Sequence, residues 1–426
     1  MAEKLHQLLI LGNGFDLHCK LHSSYEDFFK WRVGEMFALS DKSQSIRQYF
    51  KQARKVISED SAISKDVFKE GKVSLSTLKK VSPRYDDLTF WDVVFLFAEN
   101  EDLDTQDWQD IENIIYRVVL SILDRDGAGK AHTHFQKMIC NFFDINYQGN
   151  ANQYQKAAWL LRELEVFENI FSNYLYFNEL HLDRKDYYDS EYFKLATETL
   201  KSVTGFYDNS GYEREVDVLS FNYTIGPRFK KLFNYKLGNR GSVKINSWNN
   251  IHGLVSHNDI VAKQAIKSID GKQVDALPAP VFGIDSHDAA KSSEKSVMLF
   301  TKTYRILSNE FLDIRENFNL ENVDLITVYG HSLNMADYTY FSTIFNDTDL
   351  EHGKVKLEFY YYPGEIEEDI SSNSYLAKML EGKQDYSRKV INLLSKYRKE
   401  KSSTTNLTAK LILEGRISLR SMEDKI

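Results

Sequence analysis

The chain opens on a four-residue apolar run, Leu8-Leu9-Ile10-Leu11, that stops at Gly12-Asn13-Gly14. An unbroken apolar run of that length suits a strand buried on both faces of a parallel sheet. Comparable runs return at residues 216–221, 244–251, 279–282, 323–329 and 354–361. They end, in turn, at Asn222-Tyr223-Thr224, at His252-Gly253, at Gly283-Ile284-Asp285, at Gly330-His331-Ser332 and near Pro363. Most of these ends are small or polar clusters. That is the layout of a parallel sheet whose carboxyl edge carries chemistry.

Between the first and second runs the apolar spacing becomes helical. Ser23 or Ser24 can cap a helix whose first turn holds Glu26 and Asp27. Residues 41–80 are polar, residues 90–97 strongly apolar, and residues 107–120 and 151–179 carry helical patterns, the former capped by Asp107 or a neighbour. Beyond Pro363 an amphipathic helix precedes a mixed-charge tail. With no long repeat and no Pro/Gly-rich linker, the expected fold is α/β: a Rossmann-like, mostly parallel sheet with a large helical insertion. Residues 1–40 and 211–370 form the expected nucleotide-binding core, 41–210 the helical insert, and 371–426 a C-terminal helical segment and tail.

Composition narrows the class. A chain of 426 residues with 13% aromatics is built for a core and not for disorder. A net charge of -8 gives no global attraction to nucleic acid. Cys19 and Cys140 form no Cys-x-x-Cys motif, which fits a reducing compartment and no structural zinc. No apolar run approaches the ~18 residues of a membrane span, and the early apolar run is too short for a signal peptide. A soluble, cytoplasmic protein is expected.

Candidate chemistry gathers at the strand ends. Gly12 and Gly14 allow positive φ and close approach of a ligand, and Asn13 tolerates the same conformations. The turn reads either as a nucleotide-binding loop or as a tight turn without a ligand. It lacks the Gly-Lys-Ser/Thr of a P-loop and the third glycine of the dinucleotide fingerprint. Asn222 can fix a water or sugar hydroxyl, or hydrogen-bond its own turn. His252 is a candidate base, or a satisfied structural histidine. Gly330-His331-Ser332-Leu333-Asn334 departs from a nucleophile elbow at Asn334. Ser332 and nearby N–H groups there can hold a phosphate, and Asp337 can cap a helix or bind a ribose hydroxyl. Asp110 and Glu112 lie two apart on a helical pattern, so they point in roughly opposite directions and read as helix-dipole acids on a solvated face. His132 and His134 share the same spacing, which disfavours a metal site on a helix.

These motifs carry a family resemblance. Leu11-Gly12-Asn13-Gly14-Phe15-Asp16-Leu17 with Ser24-Tyr25-Glu26-Asp27-Phe28 resembles the opening of the AbiH-like bacteriophage abortive-infection family. Trp108-Gln109-Asp110-Ile111-Glu112, Ser220-Phe221-Asn222-Tyr223-Thr224, Ile251-His252-Gly253 and residues 329–337 resemble its later motifs. The resemblance implies an antiphage protein whose activation stops growth of the infected cell. The same order also resembles, distantly, the sirtuin-type NAD-consuming fold. That resemblance implies that Asn222 positions the ribose or attacking water and that His252 is the base. It implies that Gly12, Asn13, Gly14, Phe15, Asp16, Tyr25 and Asp27 contact NAD, with Gly330, His331, Ser332 and Asp337 completing the site.

Thr224 stands where sirtuins have an acid, and the zinc-binding cysteines of the deacetylases are absent. NAD hydrolysis at the nicotinamide–ribose bond therefore fits better than peptide deacetylation, with NAD as substrate and no metal. One rival is a metal-dependent nuclease or phosphodiesterase using Asp110, Glu112 and Asp337. The other is a non-catalytic sensor. Expected partners are a nucleotide, a phage-derived trigger or a partner defence protein, and a further copy of the chain; no membrane is expected.

Overall fold

The computed structural model describes residues 4–422 apart from 42–43, 61–62, 64–67, 82–87, 99–107, 125–132, 150–151, 182–186, 208–212, 238–242, 256–266, 270–271, 274–280, 285–288, 291, 309–319, 334–336, 362–371 and 402–405. Asp107, His132, Asn334, Pro363 and the side chain of Asp110 therefore lie outside the described part.

Six strands form one sheet: β1 (Lys4–Leu11), β2 (Glu213–Ser220), β3 (Val243–Asn250), β4 (Leu325–Tyr329), β5 (Lys356–Tyr361) and β6 (Ile417–Ser421). Their spatial order is β3-β2-β1-β4-β5-β6 and every neighbouring pair is parallel. This is the Rossmann order, in which the chain runs outward from β1 in one direction and then returns to build the other half. The switch lies between β1 and β4. Leu11 is in register with Ser220 and Tyr329, Ser220 with Asn250, and Tyr329 with Tyr360. The residues that follow these positions therefore share one carboxyl edge.

Alternation along β1 divides the core. Leu9 and Leu11 pack into the cluster that contains the insertion helices, together with Val216, Val218 and Ile245. Leu8 and Ile10 face the other side, with Leu219, Ile326, Val328, Leu357 and Phe359. The first cluster is continuous from the sheet into helices α1 (Asn13–His18), α2 (Tyr25–Phe37), α3 (Ile46–Glu59), α4 (Leu75–Val81), α5 (Phe90–Ala98), α6 (Trp108–Leu123), α7 (His134–Asn146), α8 (Gln153–Asn173) and α9 (Glu191–Val203). Ser24 caps α2 in a reciprocal capping box with Asp27. Helix α8 gives way to a π-helical turn, Tyr174–Glu179. Helix α10 (Pro227–Leu237) connects β2 to β3, and a short α11 (Lys302–Leu307) precedes β4. The second face is covered by α12 (Tyr338–Asp347), the 29-residue α13 (Ser372–Glu400) and α14 (Leu407–Leu413).

Two sequence expectations need correction. The run at 279–282 is no sheet strand where it is described: only Ile284 bridges, to Thr301, and residues 279–280 lie outside the described part. The C-terminal tail is not merely mixed-charge, because Ile417–Ser421 closes the sheet beside β5. As an edge strand it needs only modest burial, so its five residues carry little apolar signal.

Candidate functional site

At the switch between β1 and β4 two turns cross backbone on backbone. Gly12 N–H donates to the Tyr329 carbonyl (3.0 Å), Gly14 N–H to the Gly330 carbonyl (2.8 Å), and Phe15 N–H to the Gly12 carbonyl (2.9 Å). A Cβ on Gly12 would lie 2.3 Å from the His331 Cα, and one on Gly330, whose φ is +66°, would lie 2.4 Å from the Phe15 nitrogen. Both glycines are thus required by the crossing itself. Three N–H groups that a phosphate-binding loop would present are spent on holding the turns together.

Beside this crossing lies a cavity of about 290 Å³. Gly12, Asn13, Gly14, Gly330, His331 and Ser332 form one wall; Phe221, Tyr223, His252, Glu112, Lys302 and Asp337 form the rest, with Leu17, Tyr386 and Lys389. The volume is at the lower end of the roughly 300–1,000 Å³ of small-molecule sites.

Asp337 is the hub. Lys302 Nζ is 3.3 Å from its Oδ1, His252 Nε2 is 3.6 Å from Oδ1, and His331 Nε2 is 3.6 Å from Oδ2. Lys302 also reaches Glu112 Oε1 at 2.5 Å. Burial alone would push the Asp337 carboxyl up, but Lys302, then His252 and His331, outweigh it and hold the pKa below its ordinary value. Burial likewise works against the Lys302 ammonium, and Asp337 and Glu112 overcome it, so its pKa is raised. The two carboxylates keep this buried lysine charged. His331 is held to about 4 by burial, against the pull of Asp337, and is neutral near pH 7. Its Nδ1 accepts the Leu333 N–H at 2.9 Å, which leaves the proton on Nε2, toward Asp337. Leu333 itself is left-handed, at φ +55°. The Phe221 ring separates the imidazoles, with ring centroids 5.3 Å from His252 and 4.5 Å from His331.

The anticipated residues divide sharply. Gly12, Asn13, Gly14, His252, Gly330, His331, Ser332 and Asp337 line the cavity. Asn222 does not: its Nδ2 donates to the Gly12 carbonyl at 2.9 Å, bracing the turn from behind. Its Oδ1 is buried and makes no hydrogen bond among the described residues. Asp16 accepts from Tyr192 Oη (2.6 Å) and Thr224 Oγ1 (2.9 Å) in a separate buried cluster. There burial, opposed by those hydrogen bonds, pushes its pKa up to about 7. Phe15 packs edge-on against Tyr329, Tyr25 packs against Phe171 and Phe282, and Asp27 serves the cap of α2. These four side chains support the fold beside the cavity and do not line it.

Two charged lining residues, Lys302 and Lys389, escaped the sequence reading, and a third, Glu112, entered it only as a helix-dipole acid or in the nuclease alternative. Glu112 was expected on a solvated face; its side chain is 12% exposed and ion-paired. Lys302 gave one faint signal: it opens α11, where a cation opposes the helix dipole. Its backbone is fixed by the Ile284–Thr301 bridge and by its N–H to the Ile284 carbonyl (3.1 Å). Lys389, with its neighbour Tyr386, sits on the face of an ordinary amphipathic helix and gave no signal.

Comparison with known proteins adds a family. The model described as "Bacteriophage abortive infection AbiH" matches residues 8–361, which contain β2 to β5, the second half of β1 and every cavity residue except Tyr386 and Lys389. No curated protein and no solved structure matches the chain.

Proposed function

From a chain that belongs to the AbiH family of bacteriophage abortive-infection proteins, we propose an enzyme of that response that takes a nucleotide into the switch-point cavity and hydrolyses NAD at the nicotinamide–ribose bond. The observation that carries this reading is the convergence of His252, His331 and Lys302 on the Asp337 carboxylate.

The charge balance favours a cationic transition state. Lys302 is one buried cation against the carboxylates of Asp337 and Glu112, and His331 is neutral near pH 7. A floor with that balance stabilises the positive charge that spreads over the ribose as the glycosidic bond breaks. It would oppose a phosphate at the same depth. The nicotinamide riboside end therefore enters, and the rest of the dinucleotide stays toward the mouth.

In the reaction the C1′–N bond breaks and its electron pair leaves on nicotinamide. Water adds at C1′ and gives its proton to His252, whose Nε2 is turned toward Asp337. The carboxylate stabilises the resulting imidazolium. Nicotinamide and ADP-ribose are the products. Asn222 acts in this reading through the Gly12 turn, whose carbonyl it braces.

The carboxylates of Glu112 and Asp337, which the metal-dependent nuclease reading would use, converge on the Lys302 ammonium. Activation by a phage-derived trigger, or by assembly with further copies of the chain, belongs to the same proposal. No helix among the described residues is long and apolar enough to cross a membrane.

The test is the metabolite profile of phage-infected cells expressing wild type beside His252→Ala. Loss of NAD with gain of nicotinamide and ADP-ribose in wild type alone is expected. Intact NAD in cells that wild type arrests and the variant does not would rule this reaction out.

A further inference from the structure

The family match ends at residue 361, yet the cavity is closed by a helix beyond it. Tyr386 and Lys389, one turn apart on α13, both line the cavity. Tyr386 is buried, and its hydroxyl donates to the His331 carbonyl at 2.8 Å. The helix is therefore fastened to the site turn itself. Further along α13, Tyr397 Oη donates to Asn346 Oδ1 (3.0 Å) on α12, and Arg398 pairs with Glu351. These ties fix where Lys389 stands.

Charge is layered across the cavity. The floor holds Asp337, Glu112 and the single ammonium of Lys302, each almost fully buried. Lys389 lies at the other extreme, its side chain 41% exposed, so it marks the mouth. It pairs with Asp385 Oδ2, at 3.3 Å, on the preceding turn and 52% exposed. An exposed i,i+4 pair of this kind is held by well under 1 kcal/mol, so an incoming anion can displace the aspartate. At the glycine turns the N–H groups of Gly12, Gly14 and Phe15 are spent on the crossing and do not supply that role.

We propose that Lys389 reads the phosphate of the ligand, so that the C-terminal helix outside the family match gives the site its preference for nucleotides over nucleosides. This rests on the nucleotide reading above and adds a specificity-determining residue to it. The phosphate stays at the half-exposed rim while the uncharged or cationic end reaches the acidic floor.

The test uses the full chain and two probes that differ only by a phosphate, nicotinamide riboside and nicotinamide mononucleotide. The readout is the ligand-induced rise in Tm over a concentration series, at low and high salt. Wild type is expected to bind the mononucleotide about fivefold more tightly, the order of one exposed ion pair, with the preference shrinking in salt. Lys389→Ala should abolish the preference and leave the riboside affinity unchanged. Asp385→Asn should enlarge the preference by releasing the ammonium. If both probes bind and the preference survives Lys389→Ala, or is absent in wild type, this proposal is overturned and the nucleotide site stands. If neither probe binds, the nucleotide reading falls and takes this proposal with it.

Discussion

Asp16 and Asp337 are both buried beside the carboxyl edge of one sheet, yet their carboxyl groups titrate in opposite directions. Asp337 meets an ammonium and two imidazoles, which overcome the cost of burial and keep it ionised. Asp16 meets the hydroxyls of Tyr192 and Thr224, with a further hydrogen bond from Asn222, and stays near pKa 7. Dipoles alone offset part of the desolvation of a buried carboxylate; a full opposite charge reverses it. The family's opening motif thus supplies a buried acid that supports the glycine turn, and the distant Asp337 supplies the charged centre of the cavity.

The pH dependence of stability separates the two. Asp16 has its folded pKa above the ordinary 3.8, so the native state holds a proton that the unfolded chain has lost. Its contribution is complete below about pH 4 and disappears as pH rises through 7. Asp337 has a depressed pKa, so its contribution is present above the ordinary value and is lost as pH falls through the lower folded one.

The largest expected effect is from Lys302→Met. It leaves two buried carboxylates without their ammonium and should cost about 3–5 kcal/mol in urea denaturation at pH 7. The acid-side loss attributed to Asp337 should vanish with it, making that residue behave like Asp16. A variant as stable as wild type would mean that the ion pairs do not hold the site.

Asp16→Asn comes next. It keeps an acceptor for Tyr192 and Thr224 but does not ionise. The decline in stability between pH 4 and 7 should flatten, with a gain on the order of 1 kcal/mol or more at pH 8. Thermal melts across that range would detect it, and an unchanged slope would mean that Asp16 is already charged in the native state.

His331→Asn is a smaller test. The folded pKa of His331 is about 4, below the ordinary 6.5, so its protonation opposes folding as pH falls between those values. Asparagine keeps an acceptor for the Leu333 N–H and cannot titrate in that range. Stability should then fall less steeply from pH 6.5 to 4. Smallest is Asn222→Ala, which removes the hydrogen bond to the Gly12 carbonyl at a cost of about 1 kcal/mol. Hydrogen exchange should quicken at Gly12 and Gly14 while the Asp337 cluster keeps its pH profile.

The sheet was readable because buried parallel strands need apolar residues, unbroken at Leu8–Leu11 in β1, interrupted only by Thr327 in β4, and recurring at Val216, Val218 and Leu219 in β2 and at Leu357, Phe359, Tyr360 and Tyr361 in β5. Their small polar ends were readable too, and eight of the anticipated site residues do meet at one cavity. Edge strand β6 was hidden, since an edge tolerates residues such as Arg420 and needs little burial. The run at 279–282 misled because an apolar segment can be buried against helices as well as in a ladder; Phe282 packs on Tyr25, Phe167 and Phe171.

By itself, then, the sequence determined five of the six sheet strands, the glycine turns and the family. Those depend on neighbours along the chain, and apolar runs and glycines record them locally. Only the tertiary structure decided that the two glycine turns need each other. It also decided that Asn222 braces a carbonyl, that Asp16 and Asp337 occupy opposite electrostatic settings, and that Glu112, Lys302 and Lys389 belong to the cavity. A charge's meaning depends on what stands within a few ångströms after folding. Glu112 and Asp337, more than two hundred residues apart in the chain, meet only across the Lys302 ammonium.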